Sequence, residues 1–189
     1  LYKINNNLIN LAHEDLFSKG KVSVKDILIK NNKIYISHIN EKKKDCHNIE
    51  IVNGDINYEF IEFKNFFSYD ECFINGEVHS TGGRIVSLSE NEILFSIGEG
   101  LKRRLSQDIN SMFGKIFKIN IKTNKNTMIS MGHRNPQGLH FDKINNIITS
   151  TEHGPNGGDE INIIKLGDKV TNYGWPISSY GDHYPGKIN

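Results

Sequence analysis

Long apolar runs are missing from this 189-residue chain, and none approaches the roughly 20 residues that cross a bilayer as a helix. The stretch from Leu1 to Ala12 is also too polar to form the apolar core of a signal peptide. Neither charge is in excess, since 23 Lys and Arg stand against 22 Asp and Glu. Without a strong field of one sign the chain suits neither nucleic acid phosphates nor an anionic membrane, and a small ligand is the better match. Cysteine is scarce. Cys46 and Cys72 are the only two, too few for a disulfide framework and without metal-site spacing; in an oxidising compartment they pair across a loop, and in a cytosol they remain free thiols. No long segment has helical periodicity, so what is present, 37% hydrophobic and 24% charged residues, has to fold without long helices.

Three segments read alike: Ile27 to Ser37, Ile85 to Ser96 and Leu139 to Ser150. In each, two strand-like runs flank a polar turn, at Asn31-Asn32, Glu90-Asn91 and Asn145-Asn146, which spells a hairpin. The closing serines are 59 and 54 residues apart, near the periods of about 40 to 50 residues of propeller blades. Further strand-like runs fill the intervals: Ile49 to Val52, Tyr58 to Phe63, Lys115 to Ile121, Thr127 to Met131 and Glu160 to Lys165. Four strands per period make a blade. The expected fold is all-β, a β-propeller, with a β-sandwich as the alternative that the bare pattern also satisfies. Residues 1–189 then form part of one propeller domain, with approximate blades 20–75, 76–131 and 132–189. Three blades do not close a ring, and the chain starts at Leu1, so it reads as a piece of a longer protein. Lys42 to Lys44, beside Glu41 and Asp45, reads as a solvated loop.

The chemistry concentrates between Gly132 and Tyr180. In GHRNPQGL, Arg134 offers a permanent cation with a planar donor fork, and Asn135 and Gln137 add donors and acceptors beside it. Such a set suits a flat, oxygen-rich anion, although Arg134 and Asn135 also suit the plainer task of tying loop carbonyls together. In TEHGPNGGDEINII, Gly154, Pro155 and Gly157-Gly158 make a tight turn that points carbonyls at one spot, followed by the carboxylates of Asp159 and Glu160. Oxygen ligands of this kind suit calcium. His153 has no second ligand at a fitting spacing and reads as a hydrogen-bonding residue. Trp175, the only tryptophan, sits in NYGWP and reads as a packed aromatic corner.

Taken together, GHRNPQGL, the Thr before EHGP, the D-E-I-N run and NYGWP resemble, in order and spacing, the soluble quinoprotein glucose dehydrogenases and related aldose sugar dehydrogenases. The resemblance reaches upstream through Gly82-Gly83-Arg84-Ile85 and Ser106-Gln107-Asp108 to Gly114-Lys115-Ile116, and covers about Val78 to Gly181. It implies a six-bladed propeller that binds pyrroloquinoline quinone (PQQ) over calcium and oxidises the C1 hydroxyl of an aldose to a lactone, in a periplasmic or secreted setting. By the same resemblance Arg134, Asn135 and Gln137 contact the cofactor, Gly154 and Pro155 give carbonyls to its calcium, and Asp159, Glu160 and Tyr173 surround a second, structural calcium. His79 stands where the family has its general base, an imidazole being suited to take a proton near neutral pH. It precedes Arg84 by five residues, however, where the family has four, so a local bulge has to absorb the extra residue for the base to keep its place. The alternative reading is a non-catalytic, calcium-stabilised propeller that binds carbohydrate or protein. A lactonase-like hydrolase is a third reading, without support from the Arg134 cluster. The sugar, electron acceptor and oligomeric state are not written in these residues.

Overall fold

The structure, a computed structural model, describes residues 2–4, 7–9, 12–13, 23–56, 60–73, 78–167 and 169–183, the first three ranges as backbone alone. Two short pairings involve the first of these ranges. Strand β1 (Tyr2–Ile4) pairs antiparallel with β2 (Asn7–Ile9), and β3 (Ala12–His13) pairs parallel with β7 (Phe60–Ile61).

Three larger sheets follow one another along the chain. The first orders β4 (Val24–Lys30), β5 (Lys33–Lys43), β6 (Cys46–Asp55) and β8 (Lys64–Phe67). The second orders β9 (Gly82–Ser89), β10 (Glu92–Ile97), β11 (Lys115–Asn120) and β12 (Asn126–Met131), with β16 (Thr171–Asn172) added parallel to β12. The third holds β13 (Pro136–Asp142), β14 (Ile147–Glu152) and β15 (Glu160–Lys165). The opening strands of the sheets are neighbours, β4 beside β9 and β9 beside β13, which is how propeller blades meet at their axis. The fold is all-β, a partial β-propeller.

All three expected hairpins form, at Asn31-Asn32, at Glu90-Asn91 and across 143–146. Asn31 and Asn32 both adopt positive φ (51° and 57°), the geometry of a two-residue hairpin turn, and Asn146 does so at 54°. Period-2 alternation explains the packing between sheets. Ile93, Phe95 and Ile97 of β10 join Tyr35, Ile39, Ile49, Ile51, Phe66 and Phe67 in one core between the first and second sheets. The alternate residue Leu94 joins Leu88, Ile116, Ile129, Ile148 and Ile164 in a second core between the second and third. Each fully buried side chain of this kind contributes about 1.5–3 kcal/mol.

Polar ties fix the inner strands in register. The Arg84 guanidinium donates to the carbonyl oxygens of Gln137 on β13 and Lys25 on β4 and faces Asp26, so one side chain joins three sheets. Asp26 in turn accepts from the Ile85 amide at 3.0 Å.

Several expectations need correction. Tyr58 lies outside the described residues, and of the expected run to Phe63 only Phe60–Ile61 is strand; the pairing to β6 is made by Lys64–Phe67 instead. Lys42 and Lys43 end a strand rather than sit in a loop, and Lys42 donates to the Tyr69 carbonyl and pairs with Asp70 and Glu50. Among the described residues a 3-10 helix, Arg103–Gln107, interrupts the β pattern, and no helix is long and apolar enough to cross a membrane.

Cys46 and Cys72 form a disulfide, with Cα atoms 5.1 Å apart, across 26 residues of sequence. It pins the start of β6 to the segment that delivers Phe73 into the first core. Closing a loop of that length removes denatured-state entropy worth about 3 kcal/mol. Cys46→Ser is therefore expected to lower the unfolding free energy by about 3 kcal/mol, read as a lower urea midpoint that a reducing agent reproduces in the wild type. An unchanged midpoint would mean the loop is already ordered when the chain is denatured.

Candidate active site

Strand register places every candidate residue of the second and third sheets at one end of those sheets. Ile97 pairs with Gly82 and with Lys115, and Lys115 with Met131; likewise Pro136 and Glu160 both pair with Glu152. The loops beyond these residues therefore emerge together, opposite the hairpin turns.

A buried histidine–carboxylate hydrogen bond underlies them. Glu152, at the end of β14, points one carboxylate oxygen at His133 Nδ1 (2.8 Å) and Asn162 Nδ2 (2.6 Å), and the other accepts the Arg134 backbone N–H at 2.9 Å. An anionic Glu152 dictates the Nδ1–H tautomer of His133, leaving Nε2 to accept from the Ser130 hydroxyl at 2.7 Å. The imidazole is fully buried and stacks on Tyr173 at 5.0 Å. Burial works against the charge on Glu152, but His133, the Arg134 amide and Asn162 outweigh it and hold the carboxyl below its usual range.

Above this pair the Arg134 guanidinium lies over the Trp175 ring, 5.4 Å from its centroid, and donates to the His153 carbonyl at 2.7 Å. Its Nε is buried with no partner among the described residues. Asn135 uses Oδ1 to accept the Gly82 amide at 3.1 Å, so the loop that carries Arg134 is fastened to the start of β9. Trp175 is buried at 4% exposure, and its indole N–H donates to Glu99 at 2.7 Å. Glu99 has no exposed surface and its second oxygen is unpartnered among the described residues. Burial pushes its carboxyl above the usual range, against the pull of the indole bond and of the Arg134 and Arg103 charges. Trp175 is thus the packed corner expected, but its surroundings are charged. Glu99 was not singled out in the sequence; its one signal is an acid between two glycines directly after an apolar strand.

His79 is exposed and precedes a segment bonded closely to the Glu99 loop. The carbonyls of Ser80 and Thr81 accept from the amides of Gly100 (3.0 Å) and Gly98 (2.9 Å). A Cβ on Gly98 would collide with the Ser80 carbonyl, so only glycine permits this approach. From Ile97 to Phe95 is two residues on β10, while the matching step on β9, Gly82 to Ile85, is three. One extra residue therefore bulges out at Gly82-Gly83, whose φ angles are 65° and 108°. A bulge thus lies between His79 and Arg84.

The Gly-rich turn of the third sheet brings oxygens together. Asp159 Oδ1 accepts the Gly154 amide at 3.1 Å and Oδ2 faces His153 Nδ1 at 3.5 Å; the Pro155 carbonyl accepts from the Gly158 amide at 2.8 Å. The exposed His153 imidazole only faces Asp159, and the residue's hydrogen bonds are made by its backbone, to Arg134 and Asn135. Gln137, Asp159 and Glu160 line one cleft of about 350 Å³, and Asp159, Glu160 and Tyr173 line another of about 560 Å³. The Tyr173 hydroxyl donates to the Ile163 carbonyl at 2.7 Å. Burial, then the neighbouring Glu152, raises the Glu160 and Tyr173 ionisations above their ordinary values, with Asn162 acting second and in the other direction at Glu160. No group of three or more His, Cys, Asp or Glu that could hold a metal occurs among the described residues.

Known proteins resemble this chain in sequence and fold. The Glucose / Sorbosone dehydrogenase family model matches residues 20–189. The aldose sugar dehydrogenase YliI of Escherichia coli K12 is 35% identical, over 56% of this chain and 31% of its own length. Quinoprotein glucose dehydrogenase B of Acinetobacter calcoaceticus is 32% identical, over 53% of this chain and 27% of its own. Among solved structures, the apo form of the soluble aldose sugar dehydrogenase from Escherichia coli superposes with a TM-score of 0.75 at 26% identity, covering 91% of this chain and 54% of that one. The PQQ-bound aldose sugar dehydrogenase of Streptomyces coelicolor gives 0.67 at 25%, covering 84% and 49%. The chain spans about half the length of those solved chains and under a third of the two curated relatives. With nearly its whole length matched by one family model, and the arginine, carboxylate and tryptophan cluster built from the same stretch, this chain belongs to the glucose/sorbosone dehydrogenase family.

Proposed function

We propose that the chain forms part of a quinoprotein dehydrogenase that oxidises the C1 hydroxyl of an aldose to a lactone, using PQQ and calcium. The observation that carries this reading is the Arg134 guanidinium, held over Trp175 with a buried, unpartnered Nε. A buried donor left unpaired costs about 1–3 kcal/mol, and a planar, oxygen-rich anion would satisfy it. Bound there, the quinone supplies a two-electron acceptor for hydride from C1, and calcium a Lewis acid.

The chain's own residues hold and orient. Arg134 gives the cation, Asn135 fixes its loop to Gly82, and Gln137 borders the cleft beside Asp159 and Glu160. The Gly154 and Pro155 carbonyls would hold the cofactor's calcium, and Asp159, Glu160 and Tyr173 a second one. His79, exposed at the mouth of the Glu99 loop, takes the proton from the sugar hydroxyl. A periplasmic or secreted location agrees with the Cys46–Cys72 disulfide, which persists in an oxidising compartment.

One observation favours the non-catalytic reading. Arg134 and Asn135 already bond the His153 carbonyl and the Gly82 amide, as residues that merely tie loops together would. Reconstitution separates the two. The complete protein is loaded with PQQ and calcium, offered a panel of aldoses, and followed by reduction of an artificial dye. Dye reduction that depends on both additions and stops with a chelator is the expected result. Absence of both turnover and quinone binding would leave the binding propeller.

A further inference from the structure

Arg134 is not alone over the indole. The Arg103 guanidinium, from the 3-10 helix that follows the Glu99 loop, lies 5.7 Å from the same ring centroid. Among the described residues its side chain makes no hydrogen bond and no ion pair, only this ring contact. Two permanent cations therefore lie against one aromatic ring, which also stacks on His183 at 5.2 Å. The one acid at that ring, Glu99, is fully buried, has one oxygen committed to the indole N–H, and is pushed by burial toward its neutral form. The local charge is unbalanced, and the planar donor forks of both arginines retain free capacity, Arg103 with its whole guanidinium and Arg134 with Nε. Cations placed together in this way repel unless an anion bridges them, and a guanidinium's planar fork matches a carboxylate in two-point geometry.

We infer that Arg103 and Arg134 form a two-guanidinium clamp over Trp175 that binds a carboxylate. Arg103 is thereby an additional binding residue, beyond the GHRNPQGL stretch. The clamp rests on the proposed quinoprotein reading, in which PQQ, a tricarboxylate, is the first source of that group; an anionic sugar such as a uronate is the other.

The test uses the complete protein with calcium and four forms: wild type, Arg103→Gln, Arg103→Lys, and Arg104→Gln as a control at an exposed neighbour. PQQ binding is measured by equilibrium dialysis at low and high salt, and KM is measured for glucose and for glucuronate. Losing one charge-assisted contact weakens binding by about tenfold to a hundredfold. Arg103→Gln is expected to weaken PQQ binding by that factor and to flatten its salt dependence, with Arg103→Lys in between and Arg104→Gln unchanged. If PQQ binding holds and the glucuronate KM alone rises, the clamp stands and its carboxylate belongs to the substrate. If Arg103→Gln leaves both unchanged while wild type still binds PQQ, the clamp is overturned and Arg103 only packs on Trp175. If wild type binds no PQQ and shows no preference for glucuronate, the quinoprotein reading falls and the clamp with it.

Discussion

Glu152→Ala is expected to destabilise the complete protein by about 3 kcal/mol, since a buried donor left without its acceptor costs about 1–3 kcal/mol and this carboxylate serves more than one. Glu152 is 6% exposed, and its carboxylate accepts from three donors on two segments: His133 Nδ1–H and the Arg134 amide before β13, and Asn162 Nδ2–H on β15. Truncation leaves the buried His133 Nδ1–H and the Arg134 amide without their acceptor, while Asn162 keeps Glu160, so the loss exceeds that of a surface hydrogen bond. The loop that presents Arg134 and Asn135 would lose its anchor, and quinone binding should weaken along with the urea midpoint. Glu152→Gln keeps the shape but turns an amide donor toward donors, and should fall between alanine and wild type. The same carboxyl sets an acid limit. Its folded ionisation lies below the ordinary value of 4.5, so the unfolded chain binds the proton more readily. The stabilisation is therefore complete above that ordinary value and is lost as pH falls through the lower folded one. Urea midpoints measured from pH 7 to pH 3 should decline less steeply in Glu152→Gln than in wild type. Equal slopes would place the acid sensitivity in other carboxylates.

How much of this was legible in the sequence depended on the length of the pattern. The hairpins around Asn31-Asn32 and Asn145-Asn146 were readable because period-2 alternation runs over several residues on both sides of residues that tolerate positive φ. Strand β8 was missed because its signal is only four residues long, with Lys64 and Asn65 polar and exposed, next to the more apolar run that begins at Tyr58. The 3-10 helix Arg103–Gln107 is too short to show any period. Chemically distinctive side chains in an ordered motif, Arg134 and Asn135 above all, could be named from the sequence. Glu99 could not, since its significance comes from a partner 76 residues away, the Trp175 indole. The His133–Glu152 pair was hidden in the same way: both residues stood in quoted motifs, but only the pairing of β13 with β14 brings their ends together. The bulge at Gly82-Gly83 shows only in the pairing of β9 with β10, where those two residues take the unusual angles.

The catalytic prediction turns on that bulge. His79→Ala is expected to lower kcat by about a hundredfold to ten-thousandfold, the usual worth of a positioned general base, while leaving PQQ binding as in wild type. The backbone that follows it is fixed: Ser80 turns with φ of 53°, and the carbonyls of Ser80 and Thr81 are held by the Gly100 and Gly98 amides. Gly82 sits at φ of 65°, and a Cβ there would lie 2.8 Å from the Gly98 nitrogen. Gly82→Ala should thus strain the bulge and shift the loop bearing His79, and a misplacement of about 1 Å costs roughly a hundredfold in rate. Assayed with the quinone-loaded complete protein, His79→Ala should lose kcat with little change in quinone affinity, whereas Gly82→Ala should lose kcat and also weaken quinone binding, because the Gly82 amide fastens Asn135. If His79→Ala instead keeps its kcat, another group takes the proton. Glu99 would then be the next to vary, because its carboxyl is raised above the ordinary range by burial and it lies in the loop that the segment after His79 grips.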